Sequence, residues 1–325
     1  MRRAAIAASS IVAFSIAAAS SIACTAPLSP RALPVLLPPD PQPDPIGVID
    51  AETYTARVGS LRATLARSHV ELDDRPVAPF CGAHHGIDDC LRCEVASRAD
   101  TSGIDPDMID AIAIAFARYP STVLVASKLE HVTLCRQIRY DHDHGVDPAG
   151  LASFDAARLF VSIEYFSDKA HEHYGDFTIE QIVHHELFHM LDHAAHGEAV
   201  YADHEWEALD PPGFAYRDPA DLESPRPAGF VNAYATTNEL EDRASTFELL
   251  MGQPTKLCAI AAADPIVAAK ARMVWARVGK LVGDRQLPPE AQCLNRKPAR
   301  PTKPTKPARP RLQLPTKPSL VGKMW

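Results

Sequence analysis

The 325-residue chain has no internal repeat and no heptad run, which excludes solenoid and coiled-coil architectures. Acidic residues are missing from both ends: Met1 to Ala23 contains none, and neither does Arg296 to Trp325. All the acid therefore falls in the middle. Residues 32–295 hold 21 Lys and Arg against 41 Asp and Glu, a net charge of −20 that the overall −8 conceals. An acidic body of this kind excludes nucleic acid as the partner. Cysteine is scarce and its count of seven is odd, which is awkward for an exported protein. Hydrophobic residues make up 46% of the chain, enough to bury a core, so global disorder is excluded as well.

The two ends read unlike the body. Residues 1–23 open with Arg2 and Arg3 and continue through the apolar stretch IAASSIVAFSIAAASSIA. A charged start, an apolar centre and small residues before a cleavage point are the layout of a bacterial secretory signal. As a membrane span the stretch is minimal, and its Ala and Ser are weak membrane formers. The residues SIAC at Ser21 to Cys24 resemble a lipobox, although Ser21 stands where Leu is usual. The resemblance implies a lipid on Cys24 and anchorage to the membrane of the cell envelope. Setting Cys24 aside leaves an even set, Cys81, Cys90, Cys93, Cys135, Cys258 and Cys293, which an oxidising compartment would join as up to three disulfides. The spacing of CGAHHGIDDCLRC at Cys81 to Cys93 also suits zinc, but in an exported chain disulfides are the expected use. From Cys24 to residue 46 a Pro-rich segment is expected as an extended linker. Residues 296–325 carry nine Lys or Arg among repeated Pro and read as a disordered basic tail. Such a tail either contacts anionic lipid or cell-wall polymer or is a solvated extension.

Residues 47–295 remain for a folded domain. Asp105 to Arg118 starts with a capping Asp and a first-turn Pro and is expected to be a helix. His131 to Ile138 alternates loosely and Arg158 to Tyr165 is apolar, so both are expected as strands. The DHDHGVDPAG run between them reads as a loop. Helices are expected at about Ile179–His193, Asn238–Met251 and Pro265–Val282. Strands grouped before helices predict an α+β domain rather than a wound parallel sheet.

Within the segment TIEQIVHHELFHMLDH lies His-Glu-x-x-His, as His185, Glu186, Leu187, Phe188 and His189. On a helix, residues four apart sit one turn above each other, about 40° apart around the axis. Two imidazoles so placed can bind one metal ion while the adjacent Glu stays off it and acts as general base. Thr178 and Gln181 form a capping box. Ile179, Ile182, Val183, Leu187, Met190, Leu191 and Ala194 form an apolar stripe that leaves His185 and His189 together on its flank. The competing reading is a His-rich solvated face, since His184, His193 and His196 lie nearby.

A catalytic zinc ion takes three protein ligands and keeps one position open. The metzincin pattern fails, because its third His and its Gly fall on Ala195 and Asp192, and His196 is one residue out of register. The segment AYATTNELEDRASTF further on contains Tyr-x-x-Thr-Asn-x-x-Glu, as Tyr234, Thr237, Asn238 and Glu241. It resembles the third-ligand segment of the anthrax lethal-factor-like zinc metallopeptidases, and Asp192 matches the metal helix of that family. The likeness covers His184 to Asp192 and Ala233 to Phe247, and departs at Ser245, where the family commonly has a second Glu. It implies a zincin-like domain with a small sheet packed on the metal helix and a mostly helical C-terminal part. It also implies that Glu241 completes a zinc site with His185 and His189, and that Tyr234 hydrogen-bonds the developing oxyanion. Glu186 would then take a proton from a zinc-activated water attacking a peptide bond, and Asp192 could accept from a ligand imidazole. Two readings follow: an exported zinc metalloendopeptidase acting on peptides or proteins, or an inactive zinc-binding surface lipoprotein. Should Glu241 not ligate, Glu198, His193 and His196 are the other third-ligand candidates.

Overall fold

The computed structural model describes residues 49–84, 87–101, 104–141, 148–163, 178–217, 225–283 and 288–295. The signal-like start, Cys24, the Pro-rich linker, the basic tail and most of the loop after Asp141 lie outside them. A first helix, α1 (Ala51–Ala66), is started by Asp50, whose carboxylate accepts from the Glu52 and Thr53 backbone N–H groups. Satisfying those orphan donors is what an N-cap does. Helix α2 (Pro106–Ala117) is capped by Asp105 with Pro106 in its first turn, as its sequence predicts. The short helix α3 (Ser121–Ala126) follows.

Among the described residues six strands form one mixed sheet: β1 (Glu71–Leu72), β2 (Phe80–His84), β3 (Ile87–Val95), β4 (His131–Tyr140), β5 (Gly150–Ser153) and β6 (Arg158–Ser162). Their order is β2-β3-β4-β6-β5, with β1 beside β4. β4 pairs in parallel with β6 and antiparallel with β3. β5 folds back antiparallel on β6 and forms an edge. The loose alternation in β4 has a local cause, a register shift opposite Cys93 and Val95, which slips the side-chain period by a residue. On one sheet face Val132, Leu134, Leu159 and Val161 join the main core with the helices. On the other, Leu91, Cys135, Ile138, Leu151 and Phe160 make a small separate cluster.

Helix α4 (Ile179–His196) carries the His-Glu-x-x-His motif and runs one turn beyond the expected end. Its capping box is present: the Thr178 hydroxyl accepts from the Gln181 N–H, and the Gln181 side chain accepts from the Thr178 N–H. A short α5 (His204–Glu207) precedes three C-terminal helices, α6 (Glu239–Gly252), α7 (Pro254–Ala263) and α8 (Pro265–Val282). The fold is thus mixed, a small sheet with more helix than strand, α1 preceding the strands and α2 and α3 falling between β3 and β4. This is compatible with the α+β expectation, although strands and helices are less segregated along the chain than expected. No helix among the described residues is long and apolar enough to cross a membrane.

Among the described residues, Cys93–Cys135 joins β3 to β4, and Cys258–Cys293 ties α7 to the turn at Pro289–Asn295. Cys90 is also disulfide-bonded, and the hairpin register sets Cys81 opposite it. Cys90 and Cys93 are therefore not zinc ligands, and the bonds point to an oxidising, exported environment.

Candidate metal centre

Helices α4 and α6 pack against each other through buried faces. His185, Glu186 and His189 come from α4, and Glu241 comes from the first turn of α6. Asn238 caps that turn by accepting from the Glu241 N–H at 3.0 Å. The adjacent Asp242 points the other way, where it accepts from Trp206 Nε1, Tyr216 Oη and Lys270 Nζ. That buried anchor fixes the rotation of α6 and so aims Glu241 at α4.

The result is a compact set of donors. One ligand atom each from His185, His189 and Glu241 lies within 4.8 Å of the others, and all three residues are buried. Glu241 Oε2 stands 2.8 Å from His185 Nε2 and 3.6 Å from His189 Nε2. Zinc bonds of about 2.0–2.2 Å in a tetrahedron put neighbouring ligand atoms roughly 3.3 Å apart, between those two distances. The set therefore fits a small tetrahedral cation. Burial alone would favour neutral groups. Against it, the Glu241 and Glu248 carboxylates hold the His185 imidazole well above its ordinary pKa, and the His189 and His185 imidazoles hold Glu241 well below its own. A metal ion would need Nε2 unprotonated, so any uptake would weaken as pH falls.

Tyr234 lies in a short 3-10 turn just before α6, its ring 5.9 Å from that of His185. Desolvation, then the charges of Glu241 and Glu186, push its phenol well above the ordinary value. It is a neutral hydrogen-bond donor at any physiological pH. Glu186 meets the sheet at β5: a Cβ on Gly150 would stand 2.6 Å from Ile182 Cγ2, 2.7 Å from Glu186 Cγ and 3.0 Å from its Oε1. Glycine alone lets Glu186 sit this close to β5.

The other candidates face elsewhere. His193 stacks on Phe154 with ring centroids 4.1 Å apart, and His196 Nδ1 bonds Asp192. His184 points away to the Tyr119 hydroxyl at 2.7 Å, and burial keeps it neutral by lowering its pKa to about 3. The side chain of Glu198 lies outside the described residues. Asp192 does not bond a ligand imidazole; it accepts from Arg243 Nε at 2.8 Å, where Arg243 and Asp192 are both buried. Reach explains this, since Asp192 sits three residues past His189 and there meets Arg243, two residues past Glu241. The carboxylate behind the His185 ring, on the side away from Glu241, is Glu248, 3.2 Å from His185 Nδ1. Sequence reasoning missed it because the family likeness it followed ends at Phe247; the spacing of seven from Glu241, two turns on one face, was the available signal.

The chain matches no known protein family, curated protein or solved structure.

The Asp192–Arg243 pair clamps α4 to α6 within a turn of His189 and Glu241. Asp192→Ala leaves a buried guanidinium short of its partner and should cost about 3 kcal/mol, read from urea unfolding. A loss below about 1 kcal/mol, the range of an exposed pair, would mean that Asp203 and the Val200 carbonyl, the other acceptors near Arg243, compensate it.

Proposed function

We propose that the chain is a zinc-dependent metalloendopeptidase of zincin type. The observation that carries this reading is the convergence of His185, His189 and Glu241 from two helices, with Glu186 on the same helix as the two imidazoles. The likeness of both segments to the lethal-factor-like metallopeptidases supports it, and so does the place of β5. Ser162 N–H donates to Ala149 C=O, and the register pairs Gly150 with Val161 and Ala152 with Leu159. Antiparallel pairing alternates, so the N–H and C=O groups of Gly150 and Ala152 point away from β6. Among the described residues that edge is open. An extended peptide can pair there, and Gly150 would set its backbone beside Glu186.

His185, His189 and Glu241 would hold the ion, which when bound supplies a Lewis acid for the attacking water and the peptide carbonyl. Glu186 accepts the proton from that water as it attacks, then passes it to the leaving amine. The Tyr234 hydroxyl donates to the oxygen on which charge develops. Burial of the carboxylate and imidazoles excludes bulk water and strengthens each of these interactions.

The direct test is zinc content of the purified protein together with cleavage of a diverse peptide pool. About one zinc per chain with hydrolysis abolished by chelator is expected. Zinc without any cleavage would favour a metal-binding surface protein instead. Gly150→Ala tests the edge-strand contact: it should retain zinc but lower kcat by about 10-fold or more, because small misplacements of a catalytic group are costly. An unaltered kcat would show that Glu186 has room to adjust.

A further inference from the structure

A second carboxylate on α6 touches the same imidazole from behind. Glu248 is buried and follows Glu241 by two helical turns. Its Oε2 lies 3.2 Å from His185 Nδ1, and its Oε1 accepts from Gln181 Nε2 at 2.8 Å. The orientation of the Gln181 amide is not free. Its Oε1 accepts from the Thr178 backbone N–H and from Gln253 Nε2, both at 3.1 Å. A backbone N–H can only donate, so the oxygen must face Thr178 and the NH₂ must face Glu248. With one carboxylate oxygen given to Gln181, the other is left for His185.

We propose that Glu248, held by Gln181, is the positioning residue of the metal centre: it fixes the His185 imidazole as the Nδ1–H tautomer and turns the Nε2 lone pair to the ion. This rests on the metal reading above. The capping amide of α4 is thereby also the buttress of a ligand on the same helix, one turn further on. Ser245, one turn after Glu241 on α6, has no such role: its Oγ is buried without a hydrogen-bond partner among the described residues.

The test uses the full chain and reads the zinc dissociation constant by competition with a chelator, with imidazole ¹⁵N NMR of His185 alongside. Glu248→Ala should weaken zinc binding by about 10- to 100-fold, the usual cost of losing a ligand-orienting partner, and should lose the fixed Nδ1–H signal. Ser245→Ala should bind zinc as wild type does. Gln181→Ala should weaken binding less, and the Gln181→Ala/Glu248→Ala double variant should be no weaker than Glu248→Ala alone, since both act through one contact. Glu248→Gln keeps the shape and guards against misfolding of the Ala variant. An amide has one oxygen, so it must present NH₂ either to Gln181 Nε2 or to His185 Nδ1, and zinc binding should still weaken. Zinc constants within twofold of wild type in both Glu248 variants would overturn the proposal. A wild-type protein that takes up no zinc would instead defeat the metal reading itself, and is seen before any variant is made.

Discussion

Glu186→Gln is expected to lower peptide hydrolysis by about 10² to 10⁴, the worth of a positioned acid–base group, while zinc content and melting stay near wild type. The size of the carboxamide matches the carboxylate, so its fit against Gly150 and Ile182 survives. What it loses is the ability to accept a proton. The 100° step per residue on α4 turns Glu186 out of line with the two imidazoles, and Glu186 is absent from the cluster formed by His185, His189 and Glu241. Equal hydrolysis by variant and wild type would assign the activity to another site or to a contaminant. Loss of zinc in the variant would make Glu186 a ligand and overturn the geometry described here.

The second large effect is expected at Glu241. It is 1% exposed and supplies the single oxygen in the donor set. Glu241→Ala leaves two imidazoles on one helix, too few to close a tetrahedral site. Zinc affinity should fall by more than about 10²-fold, beyond the 10- to 100-fold typical of an orienting partner, and equilibrium dialysis against zinc would read it. Tight stoichiometric zinc in this variant would remove Glu241 from the site and direct attention to Glu198. His193 and His196 are poorer substitutes, being engaged with Phe154 and Asp192.

Local signals were legible in proportion to how self-contained they were. The ends of α2 and the capping box of α4 are decided within a few residues, and the amino-acid sequence alone predicts them. The convergence of His185 and Glu241, 56 residues apart, was visible only through a family likeness, because nothing local records which helix faces meet. The edge strand β5 was read as the end of a loop: Gly150 at its start is a poor strand former, and its place depends on pairing with β6. Asp192 was read towards the metal because it is near His189 in sequence, yet its partner is Arg243 on the facing helix. Helix α1 went unread because its polar and apolar residues are weakly segregated; its buried side chains are Tyr54, Val58, Leu61 and Leu65.

If His185, His189 and Glu241 hold a metal ion as proposed, their separation along the chain also bears on when the centre exists at all. His185 and His189 can form a pair as soon as α4 is made, but Glu241 arrives only after α6 has been synthesised and docked. The side chains that turn α6, Tyr216 before it and Lys270 after it, come from still wider stretches of chain. A partly made chain would therefore carry two of the three donors and no complete centre. A protein that leaves the cell unfolded would thus stay chemically silent in transit, and its first competent moment would coincide with the docking of its last helices.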